Sequence, residues 1–429
     1  MTSTCQLFYY RVLCILFSLS MSGVYTLTYN QLLADLFTAY YRSVRGKRGK
    51  EYVRLYDSKL NDNLDNLCRA LLDRRYEPGI SSCFVISDPK KREIFAAEFQ
   101  DRIVHHLYYE YTHEMLERTF VHDSYSCISK RGTHFGIDRL EKHIRSESLN
   151  YSRPCFVLKL DIRGYFMHIN RSKLTDILVS SIRKMSMHKC LSKYRELGRT
   201  WCECVDIDFV LYLTRVFSMH DPTKKCIVKG KLTDWDSLPE DKSLFCSPEG
   251  CGLPIGNLTS QLFSNVYMNV FDQFMKRELK CKHYGRYVDD AYVVSSDRSF
   301  LMSLVPIIRS FLMDNLSLEL HEEKTKIYDV RYGVSFLGAY LKPWRRYIDN
   351  KSLWRITRKI KLICERNTCS TFSSSRINSF MGIMSHYRAY NIQRALFLEN
   401  DIFWKYGDFI RKNDKWVYRN SVQCQRFMK

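Results

Sequence analysis

Two adjacent aspartates at the tip of a short hairpin constrain this chain more than any other feature. Asp289 and Asp290 form this pair. Apolar runs of alternating pattern flank them, from His283 to Tyr287 and from Ala291 to Ser295, and such runs favour β-strands. Neighbouring carboxylates repel each other and destabilise a turn unless positive charge lies nearby. The pattern therefore predicts a hairpin that presents both carboxylates to divalent metal ions. A solvated turn is the alternative for an isolated pair.

A third carboxylate follows another apolar strand pattern. Residues 155–162 read Cys-Phe-Val-Leu-Lys-Leu-Asp-Ile, which is typical of a mostly buried strand that ends at Asp161. A buried aspartate is costly without a partner. We therefore predict that Asp161 meets the Asp289–Asp290 hairpin at one metal site. The alternatives for Asp161 are a helix cap and a buried salt bridge.

A glycine-rich turn lies between these two carboxylate segments. Residues 252–261 read Gly-Leu-Pro-Ile-Gly-Asn-Leu-Thr-Ser-Gln, and a helical apolar pattern continues from there to Phe274. Glycine allows a substrate to approach the backbone closely, and the amino end of a helix favours anionic groups. The turn is therefore predicted to form part of a substrate site.

The composition indicates a large basic protein with a polyanionic partner. The chain has 429 residues and 67 Lys and Arg against 46 Asp and Glu, a formal net charge of +21. Nucleic acid is the first candidate for such a partner, although charge alone also fits a merely soluble basic protein. The 16 cysteines form no paired Cys-x-x-Cys unit. Structural zinc is therefore not expected, and the cysteines are interpreted as small buried side chains in a reducing cytosol.

Residues 1–50 are predicted to form an amino-terminal extension and a basic loop. The apolar run from Val12 to Leu19, followed by small residues, resembles a weak signal peptide. It is too short to span a bilayer as a helix. The expectation is a non-secreted extension on a cytoplasmic protein with no membrane partner.

Taken in order, these segments resemble the motifs of reverse transcriptases. The matching features are the strand that ends at Asp161, the glycine-rich turn at 252–261, Tyr-Val-Asp-Asp at 287–290, Lys324, and Phe-Leu-Gly at 336–338. The resemblance covers about residues 50–400. It implies an α+β right-hand polymerase with an antiparallel-sheet palm and an all-helical thumb. Its predicted divisions are fingers at 51–140 and 175–250, palm at 141–174 and 251–341, and thumb at 342–429.

The resemblance also implies roles at the metal site. Asp161 and Asp289 would bridge two Mg²⁺ ions, for which Mn²⁺ could substitute, with Asp290 completing the site. The carbonyl of Ile162 would be a further oxygen ligand. Lys324 would protonate the departing pyrophosphate, although a solvated lysine would have the same sequence pattern.

Other residues are candidates for contacts with the nucleotide or the nucleic acid. Phe166, five residues after Asp161, occupies the position whose ring blocks a ribose 2′-hydroxyl; a core aromatic is the alternative. A basic helix is predicted from Ser352 to Arg366. The remaining candidates for substrate binding are Ile255, Gly256, Ser260, Gln261, Lys91, Arg92 and Arg131. The candidates for nucleic-acid binding on the basic helix are Arg355, Arg358, Lys359 and Lys361.

The sequence of the glycine-rich turn indicates which group of reverse transcriptases this chain most resembles. Most reverse transcriptases carry Gln-Gly-x-x-x-Ser-Pro there, whereas residues 255–261 of this chain read Ile-Gly-Asn-Leu-Thr-Ser-Gln. With the loop from Asp221 to Gly252, this resembles the enzymes of diversity-generating retroelements, which make adenine-mutagenised cDNA from a template-repeat RNA. The implied partners are that RNA, the RNA/cDNA duplex, dNTPs and a small basic accessory protein. The alternatives are an ordinary-fidelity retron or group II intron-type enzyme and a non-catalytic, polymerase-like RNA-binding protein.

Overall fold

The protein combines helices with short strands. A computed structural model describes residues 25–88, 90–189, 199–365, 371–410 and 415–418; much of the predicted amino-terminal extension, residues 1–24, lies outside these ranges. The helices are α1 Tyr29–Ser43, α2 Glu51–Asp57, α3 Leu60–Leu72, α4 Phe99–Glu117, α5 Thr133–Glu147, α6 Tyr165–His168, α7 Arg171–Ser186, α8 Ile207–Met219, α9 Leu258–Gln273, α10 Arg298–Leu316, α11 Asn350–Glu365, α12 Thr371–Met384, α13 Tyr390–Gln393 and α14 Asp401–Tyr406. The strands are β1 Ser81–Ile86, β2 Arg92–Ala96, β3 Phe156–Leu160, β4 Cys226–Val228, β5 His283–Tyr287, β6 Asp290–Ser295, β7 Lys326–Asp329, β8 Val334–Phe336, β9 Ala339–Lys342, β10 Arg345–Ile348, β11 Gly407–Ile410 and β12 Lys415–Tyr418.

These strands form four small sheets. A sheet of order β5-β6-β3-β7 carries the predicted catalytic strands, and β3 pairs antiparallel with β7. The β1-β2 hairpin is antiparallel, and β4 joins it alongside β1 in parallel. The β8, β9 and β10 strands form an antiparallel meander, while β11 and β12 form a separate hairpin. The α+β mixture follows from alternating patterns in the strands and helical periodicity between them.

The described residues divide into two compact units. The first comprises the described residues of Met1–Gly132, Leu160–Ala291 and Ser303–Thr325. In this unit α4 packs against α1, α9, α7 and α8. Its helices bury one apolar face each, with Leu36 and Leu213 wholly inaccessible to solvent.

The second unit comprises the described residues of Thr133–Lys159, Tyr292–Met302 and Lys326–Lys429. Its carboxyl-terminal core is an apolar cluster that includes Ile360, Ile377 and Phe403, all almost fully buried. Trp416 on β12 is wholly buried in the same cluster. The prediction of an all-helical segment at 342–429 is therefore wrong in one respect. The β10 strand and the β11-β12 hairpin lie within it, because alternating residues such as Trp416 bury one face of a strand.

Helix α10 is long and apolar enough to cross a membrane, and it is the one such helix among the described residues. Core helices of soluble proteins share these properties. Leu301, Leu304, Ile308 and Leu312 of α10 are buried, at the three- and four-residue spacing of a helix packed on one side.

Candidate active site

The paired aspartates lie at the tight turn between β5 and β6. Strand β5 ends at Tyr287, as predicted, and β6 begins at Asp290, one residue earlier than predicted. Val288 has φ of +57°, in the left-handed region that a β-branched residue rarely adopts. Surrounding contacts must therefore hold the turn in this conformation.

Asp161 directly follows β3, as predicted, and a second segment fixes its backbone. The Asp161 carbonyl accepts a hydrogen bond from the amide of His321 at 2.8 Å, and the amide of Arg163 donates to the Glu319 carbonyl at 2.9 Å. Ile162 is buried and lies opposite Leu320 in this antiparallel bridge. The two hydrogen bonds do not use the Ile162 carbonyl, so that oxygen is left for the predicted role as a ligand.

The three carboxylates lie close enough to influence one another. Burial, and after it the charges of Asp290 and Asp161, together raise the pKa of Asp289 from 3.8 to about 6. The guanidinium of Arg92 acts in the opposite direction and lowers the pKa of Asp289. The structure thus brings the three predicted carboxylates and Arg92, one of the predicted substrate-binding residues, into the same electrostatic environment.

Lys324 binds one of these carboxylates directly. Its ammonium nitrogen lies 2.5 Å from Oδ2 of Asp161. The side chain of Lys324 is 55% exposed and that of Asp161 is 16% exposed, so water screens this ion pair only in part. Lys324 is therefore at the predicted site, and in this structure it neutralises an acidic side chain there.

The carboxylate oxygens of the site are suitable ligands for divalent cations, although the side chains do not surround one position as a complete set of metal ligands would. Among the residues that the structure describes, no group of three His, Cys, Asp or Glu side chains is set to hold a metal ion. Burial is the largest cause of the raised pKa of Asp289, but Asp290 and Asp161 also raise it through their negative charge. A hard cation with oxygen ligands would offset it, and Lys324 would have to leave Asp161 to make room.

Sequence reasoning missed the ion pair that supports the aspartate turn. Arg286 on β5 and Asp272 on α9 are both almost fully buried, and two hydrogen bonds of 2.7 Å join them. A third guanidinium nitrogen, Nη1, donates to the carbonyl of Val288 at 2.8 Å. Arg286 therefore helps to hold Val288, the residue before Asp289, in its left-handed conformation. A charged residue inside a buried strand, three positions before Asp289, was the available signal.

Phe166 and Ile255 pack against the same small apolar cluster. Its buried members are Cys83, Phe95, Met167 and Leu244. Backbone hydrogen bonds connect the two segments to their surroundings: the Leu253 amide donates to the Phe166 carbonyl at 2.8 Å, and the Phe95 amide donates to the Ile255 carbonyl at 3.0 Å. Both candidates are half-buried and thus keep some surface for a ligand.

The other residues of the glycine-rich turn differ in accessibility. Gly256 is exposed and has φ of +128°, and a Cβ there would lie 3.1 Å from the Phe95 carbonyl oxygen. Ser260 is buried in α9, whereas Gln261 is exposed on the same helix. Gly256 and Gln261 are therefore accessible to substrate, while Ser260 is enclosed in the protein.

The three predicted basic contacts have different environments. Lys91 donates to the carbonyl of Asp236, and Arg131 donates to the carbonyls of Val121 and Ser124 at 3.2 and 3.0 Å. Arg92 is exposed, and its charge acts on Asp289. Lys91 and Arg131 thus support loops in this structure, and Arg92 is the best placed of the three for a triphosphate.

The predicted basic helix is α11, in the second unit. Arg358 and Lys361 are exposed, and Arg355 and Lys359 are half-buried. The Arg358 guanidinium lies 5.2 Å from the ring centre of the exposed Trp354. Arg366, at the end of the predicted helix, lies outside the described residues. The helix thus combines positive charge with an aromatic surface, as nucleic-acid-binding surfaces do.

The raised pKa of Asp289 predicts competition between protons and Mg²⁺. The pKa of Asp289 in the folded chain, about 6, exceeds its ordinary value of 3.8. The contribution of protonated Asp289 to the free energy of unfolding is therefore fully present below pH 3.8 and is lost as pH rises through about 6. Mg²⁺ should bind the deprotonated form, so its affinity should be about tenfold weaker at pH 5 than at pH 7.5. Thermal unfolding with and without Mg²⁺ should show a larger rise in Tm at pH 7.5. Equal rises at both pH values, or the same pH dependence in Asp289→Asn, would contradict this prediction.

Comparison with known proteins identifies the family. Residues 88–341 match the family described as reverse transcriptase (RNA-dependent DNA polymerase). No curated protein matches the chain. Similar solved structures include apo telomerase from Candida tropicalis truncated from its C-terminal domain, with 14% identity, a TM-score of 0.41 and coverage of 64% of this chain and 56% of that chain. Another is telomerase from Candida albicans in complex with a TWJ fragment of telomeric RNA, with 12% identity, a TM-score of 0.42 and coverage of 80% and 59%.

The family match covers more than half of the chain and includes all three carboxylates, the glycine-rich turn and Lys324. The chain spans less than two thirds of the length of those telomerase chains. The match confirms the predicted α+β polymerase fold class and the predicted enzyme class, an RNA-directed DNA polymerase domain. The chain belongs to the reverse transcriptase family.

Proposed function

We propose that this chain extends a primer with deoxynucleotides on an RNA template. The observation that supports this most strongly is that Asp161, Asp289 and Asp290 lie close together: burial, and then the charges of Asp290 and Asp161, raise the pKa of Asp289 to about 6. A protein that only binds RNA gains nothing from three clustered acids, since they repel the phosphate backbone. A nucleotidyl transferase needs them to hold divalent cations beside the reacting phosphate.

The residues of the chain then have distinct tasks. Asp161, Asp289 and Asp290, with the Ile162 carbonyl, would hold Mg²⁺, and Mn²⁺ could substitute. Two such ions supply a more nucleophilic primer 3′-hydroxyl and stabilise the charge on the leaving pyrophosphate. Arg92 offsets triphosphate charge from the exposed end of β2. Lys324, released from Asp161, is within the site and can donate a proton to the pyrophosphate.

Phe166 provides selection against ribonucleotides. Its half-buried ring packs on the apolar cluster and follows Asp161 by five residues. A ring held beside the sugar leaves no room for a 2′-hydroxyl. The α11 surface would contact the template–primer duplex.

Primer extension tests this function. The purified chain is incubated with Mg²⁺, dNTPs and a primer annealed to an RNA template or to a DNA template of the same sequence. We expect extension on the RNA template and loss of extension when the divalent cation is chelated. RNA binding without any extension would instead support the non-catalytic alternative.

We further propose that the enzyme belongs to a diversity-generating retroelement. The Ile-Gly-x-x-x-Ser-Gln pattern at 255–261 and the long loop before it support this subtype. Its template would be a template-repeat RNA in the cytoplasm, and its partner would be a small basic accessory protein. The ordinary-fidelity retron and group II intron types are the competing subtypes, and fidelity separates them.

Ile255→Gln is expected to reduce misincorporation opposite adenine. The Ile255 side chain packs on the apolar cluster and offers a nucleotide only contact area. A glutamine can form a hydrogen bond that a misplaced pair loses, worth about 0.5–1.5 kcal/mol, or about a 2- to 10-fold lower error rate. Sequencing of cDNA from both proteins on one template measures this. Equal adenine error rates at comparable yield would mean that Ile255 only packs the turn.

Neutralising the basic helix is expected to weaken duplex binding. Replacing Arg355, Arg358 and Lys361 with glutamine removes up to three phosphate contacts. The slope of log affinity against log salt should therefore fall by about 2–3 in magnitude. Binding is measured by fluorescence anisotropy across a salt series. A triple substitution of exposed lysines elsewhere, Lys224, Lys225 and Lys229, is the control. An unchanged slope would show that α11 does not contact the duplex.

A further inference from the structure

A buried glutamate on β2 anchors the long loop that precedes the glycine-rich turn. Glu93 is 1% exposed. Its carboxylate accepts hydrogen bonds from Nε1 of Trp235 at 2.6 Å, from Oγ of Ser243 at 3.0 Å and from the backbone amide of Leu244 at 2.6 Å. Burying a carboxylate is costly, and charge-assisted hydrogen bonds of this length offset that cost. Glu93 thus fixes three residues of this loop, Trp235, Ser243 and Leu244, to strand β2.

The same loop is attached to the β1-β2 hairpin at further points. Strand β4 extends the hairpin as a third strand, and the Lys229 amide donates to the Cys83 carbonyl at 2.7 Å. Lys91 donates to the Asp236 carbonyl. Between Lys229 and Ser243 the loop forms short 3₁₀ turns at Leu232–Trp235 and Glu240–Lys242. The hairpin and the loop are therefore one connected layer.

This layer contacts both nucleotide-selecting candidates. Leu244, held by Glu93, belongs to the apolar cluster on which Phe166 and Ile255 pack. A Cβ at Gly252 would lie 2.5 Å from a Leu244 methyl carbon, so the glycine-rich turn passes directly against it. A Cβ at Gly164 would lie 2.7 Å from the Asp241 carbonyl oxygen, so the loop also borders the turn before Phe166.

We propose that Glu93 is a positioning residue for sugar selection, acting through Leu244 on Phe166 and Ile255. This proposal rests on the proposed polymerase function. Exclusion of a 2′-hydroxyl depends on where the Phe166 ring lies. Because this ring packs on the edge of the apolar cluster, its position depends on the positions of the cluster residues. Leu244 is a buried cluster member that comes from the loop, and Glu93 binds both its backbone amide and the indole of Trp235, which packs against the same cluster.

The test compares kcat/KM for one dNTP and the matching rNTP on an RNA template. Glu93→Gln retains the size of the side chain but replaces one carboxylate oxygen with an amide NH₂, which cannot accept a hydrogen bond from the donors that this oxygen binds. Trp235→Phe and Ser243→Ala each remove one donor. We expect the dNTP preference to fall about tenfold in Glu93→Gln and several-fold in the other two. The matched control is Glu240→Gln, an exposed glutamate of the same loop, which should keep the wild-type preference.

A double-mutant cycle separates positioning from general loss of structure. Phe166→Ala should remove most of the preference, and adding Glu93→Gln to it should produce no further fall, because both act through the same ring. If Glu93→Gln does not fold, Trp235→Phe replaces it in the cycle. Folded variants with the wild-type preference, or equal losses for both nucleotides, would overturn the proposal and leave the polymerase function intact. Absence of dNTP addition by the wild-type chain would overturn both.

Discussion

Replacing Asp289 with asparagine is expected to reduce primer extension about 1000-fold or more, a loss of about 4 kcal/mol of transition-state stabilisation. The change preserves size but removes one of three charges that the site needs for divalent cations. The folded chain should remain, because burial and the neighbouring acids already make the Asp289 carboxylate unfavourable at neutral pH. Single-turnover primer extension measures the rate, and circular dichroism measures the fold.

The matched control is Asp208→Asn. Asp208 is exposed in the first turn of α8, so its neutralisation changes the net charge by the same amount outside the site. It should keep extension within about twofold of wild type, as expected for an exposed side chain without a special role. Extension by Asp289→Asn at a rate near that of wild type would show that the chemistry takes place elsewhere.

Among the substitutions proposed for this chain, replacement of Arg286 is expected to lower the free energy of unfolding most. Arg286→Met leaves the wholly buried carboxylate of Asp272 without its cation and leaves the Val288 carbonyl without a donor. Breaking a buried ion pair in this way costs about 3–5 kcal/mol. Urea unfolding measures this change. A partly exposed ion pair serves as the control: Arg331→Met removes the partner of Asp329, and because the Arg331 side chain is 67% exposed the change should cost at most about 1 kcal/mol.

A double variant distinguishes the stability role of Arg286 from its role at the turn. Arg286→Met with Asp272→Leu removes both buried charges, and such replacements are often neutral or stabilising, so most of the stability should return. Primer extension should remain low, since no guanidinium then holds Val288 in its left-handed conformation. Full recovery of extension in the double variant would show that Arg286 contributes only to stability.

The catalytic segments were predictable because their signals are local. Alternation of apolar residues marks β5 and β6 on either side of the aspartates, and an apolar run marks β3 before Asp161. The order of these segments then indicates the family. The rest of the site was not predictable, because it depends on residues distant in sequence. Glu93 meets Ser243 across 150 positions, and no periodic pattern in either segment indicates that contact.

The hydrogen-bond partners of the predicted basic residues also depend on contacts between segments that are distant in sequence. Sequence alone identifies Lys91, Arg92 and Arg131 as equivalent basic residues near a turn. Tertiary contacts direct Lys91 to the Asp236 carbonyl and Arg131 to the 121–124 loop, and leave Arg92 beside Asp289. The strands in the carboxyl-terminal segment were missed because they are only four residues long, which is too short for alternation to be distinguished from a helical pattern.

Mn²⁺ binding, followed by electron paramagnetic resonance, tests most directly whether the three carboxylates form the catalytic cation site. The chain is titrated in a complex with an RNA template, a primer that lacks a 3′-hydroxyl and a dNTP, and is compared with Asp289→Asn and Asp208→Asn. We expect two tightly bound ions per wild-type chain, the same number for Asp208→Asn, and at least one fewer for Asp289→Asn. Equal numbers of tightly bound ions in all three proteins would contradict the proposed site.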